Sequence, residues 1–289
     1  MTRSWLVPNP RNLTRWILAA GLLVMLGANL PGHLSVDSVI QLYEGRTGVR
    51  QTWAPAIVSW LLGLGDEVVS GAGLYVTVSA ALVAAALLKL VDLRPRAAWL
   101  APFVALALVA SPQFAVYQAI VWKDVLFANL AVAGFVALAF VSRAWEGRVL
   151  PGDEEEAPAR AGLALGAALI CFTLATLVRQ NGIIVTVIGA VALGWSARGR
   201  GPRAAFVWGV GGLALTLLLA LAVNAAVEPR QVSDKLRPDK AARILQHYDV
   251  IGAAAHDRRE RLDLIAQADP KARDVLLSKG VAAYTPARI

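Results

Sequence analysis

The chain has 289 residues and a formal charge of +8, and it is 57% hydrophobic but only 17% charged, where a soluble domain holds roughly 25% charged residues. Its apolar residues come in long runs rather than short periodic stripes, which excludes a large soluble core and favours insertion into a bilayer. The positive charge, which in a soluble protein would point to nucleic acid, is here the Lys and Arg excess of cytoplasmic loops, so no nucleic-acid partner is expected.

The basic N-terminus MTRSWLVPNPRNLTRW leads into the first of seven runs able to span a membrane. They lie near 15–31, 73–91, 97–111, 125–142, 161–178, 182–196 and 204–227, given that about 20 apolar residues cross the hydrocarbon core. No small-residue cleavage site precedes Pro31, so the first run is read as an uncleaved span rather than a signal peptide. The third and sixth runs are short. Gly162 and Gly166, four apart in the fifth, are expected to let helices approach closely. The single Cys171 lies in an apolar run, is read as a buried inert thiol, and leaves no disulfide within the chain.

Basic residues recur in alternate connections. Arg3, Arg11 and Arg15 precede the first run; Lys89, Arg94 and Arg96 lie between the second and third. Arg143, Arg148 and Arg160 lie between the fourth and fifth, and Arg198, Arg200 and Arg203 between the sixth and seventh. The other connections hold only Arg46, Arg50, Lys123 and Arg179. Strict alternation then predicts a cytoplasmic N-terminus and an extracytoplasmic C-terminal tail. The acidic run DEEE at 153–156 falls on the cytoplasmic side and reads as solvated.

Three features gather on the predicted outer side. The first external loop, 32–72, contains VDSVIQLYE, where Asp37, Gln41 and Glu44 share a helix face and Val36, Val39, Ile40 and Tyr43 cover much of the rest. Such a helix lies in the membrane interface. A second helix starts at Pro55, with Trp53 and Trp60 as interfacial anchors. Two readings stand side by side: the helices plug the surface with Asp37 solvated or capping, or the polar face lines a cavity where a carboxylate acts as base or holds a cation. In VYQAIVWKDVLFANL, Lys123 is either a snorkelling side chain or an anion partner, and Asp124 is otherwise an ordinary helix-start residue. In LVRQNGIIV, the Arg179–Gly182 turn is too tight to carry Arg179 far from the bilayer, and a guanidinium suits bidentate phosphate binding. Asn181 and Gly182 are also ordinary turn formers.

Residues 228–289 change character. Ala241, Ile244, Leu245, Tyr248 and Ile251 predict an amphipathic helix after Pro238, and a second helical piece follows near 271–279. The two parts are thus a transmembrane module, 1–227, and a helical tail, 228–289, read as the start of a larger extracytoplasmic region. His33, His247 and His256 are scattered and form no recognisable metal set.

In these motifs, PG-x-x-S-x-D-S-x-x-Q after the first run, W-x-P at 53–55, K-D-V-L-F-A at 123–128 and R-Q-N-G at 179–182, the chain resembles bacterial multi-pass glycosyltransferases of the GT-C class, and Tyr248–Asp249 extends the likeness into the tail. The resemblance implies an all-α membrane fold of about seven transmembrane helices with juxtamembrane helices in the first external loop, set in the bacterial plasma membrane. It implies a polyprenyl-phosphate-linked sugar donor, an acceptor glycan, lipid or protein, and inverting transfer at the outer face. On that basis Asp37 corresponds to the catalytic base, and Lys123 and Arg179 to donor-phosphate contacts; Gln41, Glu44, Asp124 and Asn181 complete the expected substrate-binding set. Ala54 stands where the family's loop carries a His before its proline, and Gln180 replaces the first Asn of an R-N-N-G-like turn. The family's chains are also longer. Asp37, Glu44 and Asp124 offer oxygen ligands to a divalent cation, though no spacing compels one. Two other readings remain: a transporter or flippase for a lipid-linked or anionic substrate, with polar groups at mid-bilayer depth, and a non-catalytic assembly subunit.

Overall fold

The computed structural model describes residues 9–93, 98–147, 156–229 and 231–233, together with 267, 269–275 and 278. Its first compact unit, Met1–Gln231, is built almost wholly of helices. In order these are α1 (Pro10–Asn29), α2 (Val36–Thr47), α3 (Ala56–Val68), α4 (Gly73–Asp92), α5 (Leu100–Ala110), α6 (Pro112–Ala115), α7 (Lys123–Trp145), α8 (Ala157–Val178), α9 (Ile183–Ser196) and α10 (Pro202–Val227). One-turn 3-10 segments at Tyr117–Ala119 and Gln180–Gly182 lead into α7 and α9, and a two-residue strand, Val49–Arg50, follows α2. The second unit, Val232–Ile289, contains α11 (Pro270–Val275). The amphipathic helix expected after Pro238, Tyr248–Asp249, His247, His256 and residues 153–155 of the acidic run lie outside the described residues.

Helix falls within each of the seven apolar runs, but not every helix can cross a bilayer. α4, α7, α8 and α10 are long and apolar enough, and a fifth span is added if α5 and the Pro112–Ala119 segment, bent by 55°, count as one. Pro112, which begins α6 and has no N–H to continue the preceding helix, coincides with that bend. α9 has only 14 residues, or about 21 Å of rise against roughly 30 Å of hydrocarbon. α1 has the length, but Arg11, Asn12, Arg15 and Asn29 make its ends polar. The chain is therefore an all-α membrane protein, with four or five helices able to span among the described residues, and the expected seven is not reached there by length and composition. The exterior fits lipid rather than water: Phe206, Val207, Leu218 and Leu221 of α10 and Val191 of α9 are all more than half exposed.

The helices run back and forth between two ends of different chemistry. At one, Arg11 and Arg15 of α1 share Asp92 at the end of α4. Arg143 near the end of α7 donates to the Leu93 carbonyl, and Trp145 packs 4.9 Å from Trp208 at the start of α10. The other end carries α2, α3 and the α6–α7 and α8–α9 connections. A core of Met25, Val58, Leu62, Val76, Leu130 and Val178 binds α1, α3, α4, α7 and α8 there. Nearer the basic end, Phe172 of α8 is wedged between Gly134 of α7 and Gly189 of α9, where a Cβ would sit 2.8 and 2.7 Å from its ring. Gly162 and Gly166 make no such approach: a Cβ at either meets nothing within 4 Å. The side of α8 that packs inward runs through Ala161, Ala168, Phe172 and Ala175, so the expected small-residue contact is corrected to the Phe172 wedge.

Candidate functional site

α2 begins where Ser35 caps it, its Oγ accepting from the Ser38 N–H, and ends at Gly48, whose φ of 67° is a left-handed conformation that glycine adopts without strain. The helix is inverted relative to a soluble one. Ser38, Gln41, Leu42 and Glu44 are buried, while Val36, Val39 and Tyr43 are exposed, which suits a helix lying against lipid with its polar side turned to the protein. Gly45 makes the inward packing possible, because a Cβ there would lie 2.2 Å from the Ser59 carbonyl of α3 and 2.7 Å from the Gly63 nitrogen.

Glu44, 3% exposed, accepts from the Gln51 N–H at 2.6 Å, the Thr52 N–H and the Ser59 hydroxyl at 2.7 Å. Its carboxylate ties the 51–52 loop and α3 to α2. Gln41 is buried beside it at 4% exposure and makes no hydrogen bond through its side chain among the described residues. At the far end of α2, Arg46 grips Asp66 of α3 with two hydrogen bonds of 2.7 and 2.6 Å. That guanidinium, helped by the Gly71 N–H, holds the Asp66 carboxyl down to about 2. Arg50 donates to the Thr52 and Ala54 carbonyls and pairs with Glu228 at the end of α10. The loop that carries Ala54 in place of the expected His is thus fixed from both sides.

Asp37 differs from these neighbours. It is exposed, sits in the first turn of α2, where a carboxylate complements the helix dipole, and has no hydrogen bond or ion pair among the described residues. The start of α2 is stitched to the segment before α7. The His33 N–H donates to the Ala119 carbonyl at 2.9 Å, the Val121 N–H returns to the His33 carbonyl at 3.0 Å, and the Ser38 hydroxyl donates to the Val121 carbonyl. Asp37 therefore lies next to a residue bonded two positions ahead of Lys123. Lys123, the first residue of α7, is half-buried and has no ion pair among the described residues. Asp124 follows it and pairs with Arg179, the residue that ends α8. Both partners are about 40% exposed (41% and 44%). Asn181 is exposed, on a turn held against α8 at the buried Gly182. Three connections far apart in sequence thus meet at one end of the bundle, with Asp37, Lys123, Asp124 and Arg179 toward its surface and Gln41 and Glu44 beneath.

The sequence reading missed a buried polar cluster below this surface. Asn129 of α7, 1% exposed, donates at 3.0 Å to both the carbonyl and the hydroxyl of Ser79 on α4. It also exchanges two hydrogen bonds with the Gln118 amide, at 2.8 and 3.2 Å. An Asn inside the run DVLFANLAV was the available signal, since an amide among spanning residues must find partners. An apolar groove of about 360 Å³ runs between α1 and α5, lined by Ile17, Gly21, Met25, Leu106, Val109 and Ala115. It reaches Asn29, whose amide donates to the Met25 and Ala115 carbonyls and whose oxygen lies 3.0 Å from His33 Nε2.

Among the described residues no three His, Cys, Asp or Glu side chains converge as a metal-binding group. Of the three carboxylates offered as cation ligands, Glu44 is engaged by the loop and Asp124 by Arg179. Comparison with protein families, curated proteins and solved structures finds no match for this chain.

Proposed function

We propose that this chain is an integral-membrane glycosyltransferase that moves a sugar from a polyprenyl-phosphate carrier to an acceptor hydroxyl at the α2 end of the bundle, facing the extracytoplasmic side. The observation that carries the reading is that Asp37, which has no partner among the described residues, lies at the same end of the bundle as Lys123 and the Asp124–Arg179 pair, with its neighbour Ser38 bonded to Val121 two residues before Lys123. Asp37 takes the proton from the acceptor hydroxyl as its oxygen attacks the anomeric carbon. The bond from that carbon to the phosphate oxygen breaks, and the polyprenyl phosphate leaves with the electron pair, inverting the centre. Lys123 and Arg179 offset the charge that develops on the departing phosphate. Asp124 does not block this role. A half-exposed ion pair of this kind is screened by solvent and contributes on the order of 1 kcal/mol, whereas a guanidinium–phosphate contact is charge-assisted and bidentate, so a phosphate can displace it. The α1–α5 groove gives the polyprenyl chain an apolar track ending beside His33.

Transport is the second reading. The 55° bend between α5 and the Pro112–Ala119 segment and the Asn129–Gln118–Ser79 cluster favour it, because broken helices and buried polar groups mark substrate paths through bundles. A gene deletion complemented with wild-type or Asp37→Asn protein at matched membrane levels separates the two when cell-surface glycans are read by mass spectrometry. A missing sugar restored by wild type alone supports the transferase with Asp37 as its base. Equal rescue by both removes Asp37 as the base and leaves transport or a non-catalytic assembly role ahead.

A further inference from the structure

The opposite end of the bundle carries chemistry that sugar transfer does not use. The stretch ARGRGPR over 197–203 joins α9 to α10 and exposes Arg198 and Arg200 on the connecting turn and Arg203 in the first turn of α10. At this end Arg11 and Arg15 share the Asp92 carboxylate, and Arg160 takes Glu156. Arg198, Arg200 and Arg203 have no ion pair among the described residues. Two of them rest instead on indole rings. The Arg198 guanidinium carbon lies 3.9 Å from the centre of the Trp195 ring, and that of Arg200 lies 4.3 Å from the Trp145 ring. Trp145 in turn packs against Trp208 with 4.9 Å between ring centres, so the last turn of α7 and the first turns of α10 form one backing for Arg200.

Stacking uses the flat face of a guanidinium and leaves its N–H edge free to take two oxygens of one oxyanion. Indole rings also settle at the headgroup depth of a bilayer. The flanks are apolar and outward: Trp195 is 67%, Phe206 69% and Val207 64% exposed. A ligand bound here meets fixed cationic edges on the loop and hydrocarbon surface immediately beside it, which is the pattern of a lipid with a charged head and acyl tails, not of a free phosphate.

We infer that the α9–α10 loop, with Trp145, Trp195 and Trp208 behind it, is a binding site for the phosphate of an anionic membrane phospholipid. The site is independent of the proposed transfer reaction and lies at the other end of the molecule. Its role is to fix the depth of the short α9–α10 hairpin in the leaflet it faces, since α9 alone cannot reach across the bilayer.

The test uses the full chain in nanodiscs containing equal phosphatidylglycerol and phosphatidylcholine, with retained lipids counted by native mass spectrometry. Wild type is expected to hold phosphatidylglycerol preferentially. Arg198→Lys/Arg200→Lys keeps the charge but loses the stacked planar edges. It is expected to lower that preference at least about fivefold, the scale of losing one net hydrogen bond when a bidentate guanidinium becomes a point charge, with unchanged melting temperature and elution. Arg198→Gln/Arg200→Gln/Arg203→Gln should abolish it; if that variant fails to fold, the Lys variant decides alone. A Lys variant that retains phosphatidylglycerol as wild type does would reduce the site to diffuse charge and overturn the inference. Displacement of the lipid by millimolar glycerol phosphate would overturn it too, by making the site one for soluble phosphate.

Discussion

Asp37 and Glu44 stand two turns apart on one helix and meet opposite surroundings, so their substitutions should separate chemistry from architecture. Glu44 is buried and accepts three hydrogen bonds, two of them from backbone N–H groups of the loop after α2. In Glu44→Gln the charged acceptor is lost and an amide NH₂ is turned toward N–H donors. Unfolding in detergent micelles should show a loss of about 2–4 kcal/mol, from bonds to a charged group of roughly 1.5–3 kcal/mol each that are weakened rather than all removed. Asp37→Asn should cost less than about 1 kcal/mol, the size of its interaction with the start of α2. A Glu44→Gln protein as stable as wild type would sink the view of Glu44 as a brace. Asp66 carries a pH signature of its own. Its folded carboxyl is held to about 2 against an ordinary 3.8, so its contribution is complete above about 4 and is lost as pH falls toward 2. The melting temperature of wild type should therefore fall more steeply over that window than that of Asp66→Asn; parallel slopes would mean that the Arg46 pair is absent in solution.

At the scale of elements, the α2–α3 crossing depends on two glycines that touch backbone to backbone. A Cβ at Gly63 would sit 2.7 Å from the Gly45 carbonyl oxygen and 2.9 Å from its Cα, and backbone atoms cannot rotate away as side chains can. Gly63→Ala should force the helices apart at a cost of about 1–3 kcal/mol and raise protease cleavage in the 48–55 loop. A protein with wild-type stability and cleavage would show the crossing to be looser than drawn. This contact was not legible in the sequence, where Gly45 and Gly63 look like any other glycines and Gly162 and Gly166 have the more suggestive spacing. Periodicity marks which face a residue shares with its neighbours, but not which face meets a partner. The same limit explains α2: the common face of Asp37, Gln41 and Glu44 was readable at i, i+4 and i+7, while the loop that claims Glu44 was not. Positions of the long helices were readable because an uninterrupted apolar run has few alternatives to helix in lipid. Their capacity to span was less so, since Pro112 and the shortness of α9 act through three-dimensional bend and rise. Asn129 was visible only as an exception, and its partners Ser79 and Gln118 lie on other elements.

The first unit, taken as a whole, is polarised. Arg11, Arg15, Lys89, Arg143, Arg198, Arg200 and Arg203 lie toward one end, and the α2–α3 layer with Asp37, Lys123 and Arg179 lies toward the other. Positive charge in short connections is retained on the cytoplasmic side during insertion, so this asymmetry makes a prediction about orientation that does not depend on any activity. Thr47, the last residue of α2, is exposed, and Arg203 in the first turn of α10 is exposed as well. The native thiol, Cys171, is buried and should stay silent toward a membrane-impermeant maleimide. In intact cells Thr47→Cys should react with that reagent, and Arg203→Cys should react only after the membrane is permeabilised. The reverse pattern would turn the molecule over and put the Asp37 surface in the cytoplasm. There a donor would have to be drawn from the inner leaflet and the extracytoplasmic acceptor would be out of reach, so the proposed transfer would fall with the orientation, while the phospholipid site would stand, facing the other leaflet.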